Sequence, residues 1–172
     1  MDQAHGVHHY ASDITSSFPV NGKFTKKQKD IYELVLKANR AVMGIVKPGV
    51  SWVDMHLLAE RIILEGLIEL GILNGNLEEM QEGRVGYLFF PHGLGHFIGL
   101  DVHDMGGYTK ETPPRIMKPG LKNLRTSRVM KAGMTITIEP GCYFRDYLFT
   151  GEYGDKLPID NKYVNQDLVR EY

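Results

Sequence analysis

Pro91-His92-Gly93-Leu94-Gly95-His96-Phe97-Ile98-Gly99-Leu100-Asp101-Val102-His103-Asp104 packs three histidines and three glycines into one short run. Two histidines four residues apart suggest the zinc-protease helix, in which both rings face one side and a glutamate between them acts as base. Here glycine stands at positions 93 and 95, and no glutamate follows His92. Each internal glycine costs a helix ~1 kcal/mol relative to alanine, so the run reads as extended or turning backbone. His92 and His96 then need not share a metal, and further ligands have to come from elsewhere in the chain.

Candidates lie at the ends of other extended segments. Met134-Thr135-Ile136-Thr137-Ile138 alternates apolar and polar like a half-buried strand and delivers Glu139 just before Pro140-Gly141. Asp2 and Asp13 are an odd number of residues apart, which puts them on opposite faces of one continuous strand. A turn near His5-Gly6 instead makes a hairpin whose arms bring both carboxylates together. Three carboxylates and one imidazole form a hard, oxygen-rich set, better suited to a manganese, cobalt or zinc pair than to a structural zinc. Cys142 is the only cysteine, so a thiolate site is excluded.

These residues carry a resemblance. Ala11-Ser12-Asp13-Ile14-Thr15 with Ser16-Ser17-Phe18-Pro19, His92-Gly93-Leu94-Gly95-His96, Asp101-Val102-His103-Asp104, Leu124-Arg125-Thr126-Ser127-Arg128 and Ile138-Glu139-Pro140-Gly141 resemble, in order, the prolidases. These are the Xaa-Pro dipeptidases of the methionine aminopeptidase and creatinase superfamily. The resemblance implies an α+β pita-bread fold, a curved antiparallel sheet backed by helices, with two divalent ions held by two aspartates, a histidine and two glutamates. It assigns metal binding to Asp2, Asp13, His96 and Glu139, and substrate contact to His92, His103 and Arg125. Catalysis would fall to Glu139, as ligand and general base or proton shuttle, with His103 and His92 as donors to the developing oxyanion and the substrate. Arg125 offers a planar fork for a free carboxylate. The implied substrate is a dipeptide with C-terminal proline, cleaved by a metal-activated water, with manganese as the expected metal and cobalt or zinc as alternatives.

The resemblance also sets expectations for the bounds of the chain. Residues 1–172 are expected to be a partial catalytic domain, incomplete at both ends. The family's N-terminal domain and opening strands would precede Asp2, and a fifth ligand, in a Gly-x-Arg-x-Glu strand, would follow Tyr172. Gln3-Ala4-His5-Gly6 replaces the family's usual Asp-x-Gly-Gly after the first aspartate, so Asp2 is placed by spacing. On this reading the 172 residues alone hold one ion and are weakly active or inactive. The alternative is a non-catalytic pita-bread binding module.

Hydrophobic content of 42% and charged content of 24% suit one globular domain. A net charge of −1 gives no reason to expect nucleic acid or a membrane as partner. No apolar run of transmembrane length and no signal sequence at Met1 is apparent, and a single unpaired cysteine fits a cytoplasmic protein. The family implies a homodimer for the full-length enzyme. Thr25-Lys26-Lys27-Gln28 reads as a capping box before Ile31, Leu34, Val35, Ala38, Val42 and Ile45 at helical spacing, stopped by Lys47-Pro48-Gly49. Ser51 with Asp54 opens a second helix, which runs to Gly71. Residues 86–90, 135–138 and 142–149 read as strands, 106–124 as loop and 160–172 as helix. His56, within the second helix, reads as a hydrogen-bonded structural residue. His5, His8 and His9 read as a solvated patch, and Arg128 as a solvated neighbour of Arg125.

Overall fold

The computed structural model describes residues 8–145 and 161–172, with backbone alone at Asp2, Gln3 and Asn161. Strands β1 (Asp2–Gln3) and β2 (Ile14–Thr15) pair antiparallel, Asp2 opposite Thr15 and Gln3 opposite Ile14. That register centres the hairpin on His8 and His9, not on His5-Gly6, which lies outside the described residues. Both histidines are exposed and carry positive φ, 53° and 71°. Two consecutive positive φ values are what a tight hairpin turn requires. Glycine or asparagine supplies them more commonly, so sequence points to the wrong residues.

Helix α1 (Lys26–Ile45) opens on the expected capping box: Gln28 N–H donates to the Thr25 hydroxyl, and Thr25 N–H donates to the Gln28 side chain. Thr25→Ala is expected to cost ~1 kcal/mol, read as a lower denaturant midpoint at unchanged slope; an unchanged midpoint would show that the cap is idle. Helix α2 (Trp52–Glu69) is capped by Ser51, which accepts from Asp54 N–H. Leu34, Ala38 and Val42 of α1 are buried with Trp52, Ala59, Ile63 and Leu67 of α2. The helices approach closely because Gly66 leaves room for the Leu34 side chain. Gly49 N–H donates to Met130 O, and Met130 N–H donates to Val50 O, so the connection between the helices is fastened to the segment beyond Arg128.

Other expectations change. Residues 86–90 are not a strand: Val85–Leu88 is a 3-10 turn entered from Arg84 at φ 60°. A short apolar run does not distinguish a strand from a buried helical turn, and here Gly86 lies against the Glu60 side chain. Helix α3 (Leu77–Glu82) was not anticipated. The loop at 106–124 contains only the short 3-10 turn Leu121–Asn123. Near the C-terminus Val164 pairs with Leu73, which splits the expected helix into a 3-10 turn (Asn161–Tyr163) and helix α4 (Gln166–Val169) capped by Asn165. The part of that expectation at residue 160 lies outside the described residues. So do residues 146–149 of the strand expected at 142–149; within 142–145, Tyr143 N–H donates to Phe89 O.

Trp52, His56 and Glu60 lie one turn apart along α2, and all are buried. Arg84 Nη1 donates to Glu60 Oε2 at 2.7 Å, and Arg84 Nε donates to Pro119 O. Burial pushes the Glu60 carboxyl up to about 7 even against the pull of Arg84. His56 is structural as expected, but its nitrogens have no hydrogen-bond partner among the described residues. It stacks instead on Phe90 at 5.0 Å, and burial, with help from Arg84 and His92, drives its pKa down to about 3.

Candidate metal centre and active site

Residues 94–98 and 135–139 run antiparallel. Glu139 N–H donates to Leu94 O, Thr137 N–H to His96 O and Ile98 N–H to Thr135 O, with Phe97 paired to Ile136. In this register His96 lies opposite Thr137, and Glu139 follows two residues on, hence on the same face. Asn39 of α1 donates to Ile138 O at 2.7 Å, which ties the helix to the strand carrying Glu139. Ala11 N–H donates to Gly99 O, seating the Asp13 segment beside the same pair.

The result is a compact cluster. His96 Nε2 lies 3.1 Å from Asp13 Oδ2 and 3.0 Å from Glu139 Oε1, and one ligand atom from each of the three residues falls within 4.8 Å of the others. His96 Nδ1 is 2.9 Å from the Phe97 carbonyl, which can only accept, so the neutral ring carries its proton on Nδ1. Its Nε2 lone pair then faces two carboxylates. Three converging acceptors require a positive charge at their centre, either a proton on Nε2 or a cation, and two carboxylates with one imidazole are good donors to a divalent transition metal. The Nδ1 hydrogen bond orients the ring as metal-ligating histidines are usually oriented. Asp2 has its backbone in β1, and its expected role as ligand lies outside the described residues.

The cluster sits in a cleft of 1570 Å³ also lined by His92, His103 and Arg125. The rings of His103 and His96 meet edge to face at 4.3 Å. The His103 pKa is lowered by desolvation first, then by the Arg125 guanidinium and His96, against the opposing pull of Glu139 and Asp13. His92 is held more firmly than a free donor: Nδ1 donates to Gly93 O at 2.8 Å and Nε2 accepts from the Tyr143 hydroxyl at 2.9 Å. Tyr143 and Thr137 are contributions that the sequence reading missed. A tyrosine four residues beyond Glu139 and a threonine two before it carry no distinctive pattern. The cross-strand register is the signal that could have found Thr137. Arg128 lies 5.9 Å from the centroid of the Phe97 ring and its Nε has no partner among the described residues, so it is not simply solvated.

The profile of metallopeptidase family M24 matches residues 1–163. The chain belongs to this family. It is 52% identical to human Xaa-Pro dipeptidase over 163 residues, which are 95% of this chain and 32% of that protein. It therefore spans about a third of the length of such M24 relatives. Among solved structures, a variant of Escherichia coli aminopeptidase P matches with a TM-score of 0.70 at 39% identity, over 83% of this chain and 29% of that one. Pseudomonas aeruginosa aminopeptidase PepP matches with a TM-score of 0.68 at 40% identity, over 80% of this chain and 28% of that one. Membership in M24 implies divalent metal, and the Asp13, His96 and Glu139 donor set fits one. The α+β class agrees with the expectation, although the only regular sheet among the described residues is the pair β1 and β2. No helix among the described residues is long and apolar enough to cross a membrane.

Proposed function

We propose that this chain is part of the catalytic domain of a metal-dependent Xaa-Pro dipeptidase, with residues 1–172 forming the portion that carries most of the site. The observation that carries this reading is the convergence of Asp13 and Glu139 on the lone-pair nitrogen of His96 in a cleft that also holds Arg125 and His103. The hairpin and the 94–98/135–139 pair would belong to one curved pita-bread sheet backed by α1 and α2. Asp2, Asp13, His96 and Glu139 are the proposed ligands, and the proposed metal is manganese, with cobalt or zinc as alternatives. The imidazole favours these over calcium or magnesium.

When bound, divalent ions act as Lewis acids that acidify water and polarise the scissile carbonyl. The side chains supply the remainder. Glu139 holds and returns a proton at its carboxylate. His103, kept toward its neutral form, donates to the oxygen of the carbonyl under attack. Arg125 pairs with the substrate's terminal carboxylate and so selects short peptides with a free C-terminus. His92, fixed by Tyr143, faces the same cleft as a proposed substrate contact. The homodimer and the cytoplasmic location that the resemblance implies are part of the same proposal; the lone cysteine supports the latter.

The test is hydrolysis of Gly-Pro by the intact protein loaded with manganese, alongside Gly-Pro amide. The free acid is expected to be cleaved and the amide spared, and equal cleavage would remove the carboxylate-recognition role. Arg125→Ala is expected to raise KM and lower kcat/KM by ~30- to 1000-fold, the equivalent of losing a ~2–4 kcal/mol charge-assisted contact, with metal content unchanged. A variant that lost metal as well would place Arg125 in the metal site rather than on the substrate.

A further inference from the structure

We infer that Thr137 is the positioning residue that fixes the Glu139 carboxylate against His96. The inference rests on the metal site proposed above. The Thr137 hydroxyl donates to Glu139 Oε1 at 2.6 Å and accepts from the backbone N–H of His96 at 3.0 Å. A hydroxyl has one proton, and the 2.6 Å contact lies within the range of a charge-assisted O–H···O⁻ bond. The alternative acceptor, the His96 carbonyl, is 3.4 Å away. The direction is therefore set: His96 N–H into the oxygen, and the oxygen's proton to Glu139. The His96 backbone and the Glu139 side chain are coupled through a single atom.

Two further features make the coupling specific. The Thr137 carbonyl is turned toward Gly95, where any Cβ would collide with it. The hydroxyl thus does for His96 N–H what a backbone carbonyl does elsewhere in such a pair. A β-branched residue in a strand has restricted χ1, so the hydroxyl is aimed before any metal arrives. Donation to Oε1, the same oxygen that lies 3.0 Å from His96 Nε2, holds the carboxylate in the cluster and leaves the Oε2 lone pairs for a cation. That is the role of an outer partner to a ligating carboxylate, whose removal typically costs 10- to 100-fold in metal affinity.

The test is a manganese titration of the intact protein, followed by the electron paramagnetic resonance signal of free Mn²⁺. Thr137→Val keeps the shape and the β-branch but deletes the hydroxyl; it is expected to weaken binding at least about tenfold. Thr137→Ala is expected to fall with it, and Thr137→Ser to restore affinity to within about threefold of wild type. The inference is overturned if the valine and alanine variants bind as wild type, or if serine is as weak as valine, since then the methyl group and not the hydroxyl matters. Glu139→Ala separates the two levels. If it leaves affinity unchanged, the metal site itself is misassigned; if it weakens binding while Thr137→Val does not, only the role of Thr137 fails.

Discussion

Replacing His96 with alanine is expected to weaken manganese binding by at least about a hundredfold. Loss of an outer partner alone costs 10- to 100-fold, and His96 is the centre on which Asp13 and Glu139 converge at 3.1 and 3.0 Å. Without the imidazole the two carboxylates face each other with no nitrogen between them. The fold should survive, because the pairing of residues 94–98 with 135–139 runs through backbone groups. Metal stoichiometry together with thermal unfolding of the apo protein distinguishes the cases. A variant that folds and binds manganese as tightly as wild type would refute the assignment.

The second large effect lies behind the site. Arg84→Met is expected to destabilise the protein by ~3–5 kcal/mol at pH 8, the usual cost of stranding one member of a buried ion pair. Glu60 is 1% exposed and Arg84 8%, so neither charge has water as a substitute partner. The pH dependence follows from the direction of the Glu60 shift. Its pKa is raised in the folded protein to about 7 from 4.5, so between these values the folded state holds the proton more tightly. This contribution to stability is complete below the unfolded pKa and is lost as pH rises toward the folded one. Removing Arg84, which pulls the pKa down, extends that loss to higher pH. Denaturant unfolding at pH 5 and pH 8 should therefore show a penalty ~1–2 kcal/mol smaller at pH 5, where Glu60 is neutral and needs no cation. At pH 8 a Glu60 without Arg84 takes up a proton at ~1.4 kcal/mol per pH unit above its folded pKa of about 7. An equal penalty at both would mean that Arg84 acts through packing and its bond to Pro119, not through the Glu60 charge.

Helices α1 and α2 were legible because their signals are local: the Thr25 and Ser51 caps, a 3.6-residue apolar period and a Pro-Gly stop all lie within the elements they define. Asp13, His96 and Glu139 were legible for a different reason, since glycine-flanked histidines and strand-end carboxylates are unusual company. What escaped was set by partners distant in sequence. The 3-10 turn at Val85–Leu88 goes with the placement of Arg84 against Glu60 of α2. The break before Asn165 follows from Val164 pairing with Leu73. The hairpin centre at His8 and His9 follows from the register of β1 and β2, and no residue there advertises positive φ. Thr137 and Tyr143 are ordinary strand residues until the facing chain is known. His56 was read as a hydrogen-bonded structural residue; among the described residues its nitrogens have no hydrogen-bond partner, and its ring stacks on Phe90 instead.

Cys142 sits three residues from Glu139, half-buried, with burial pushing its thiol up to about 12. A thiol raised in this way is almost wholly protonated at pH 8, and the thiolate is the form that alkylating agents and oxidants attack. In the folded protein this cysteine is expected to react more slowly with alkylating agents than an ordinary surface thiol. Its labelling rate then becomes an internal clock. Faster labelling reports a loosening of the segment that carries Glu139, so one sulfur atom, with no engineered probe, follows the integrity of the cluster.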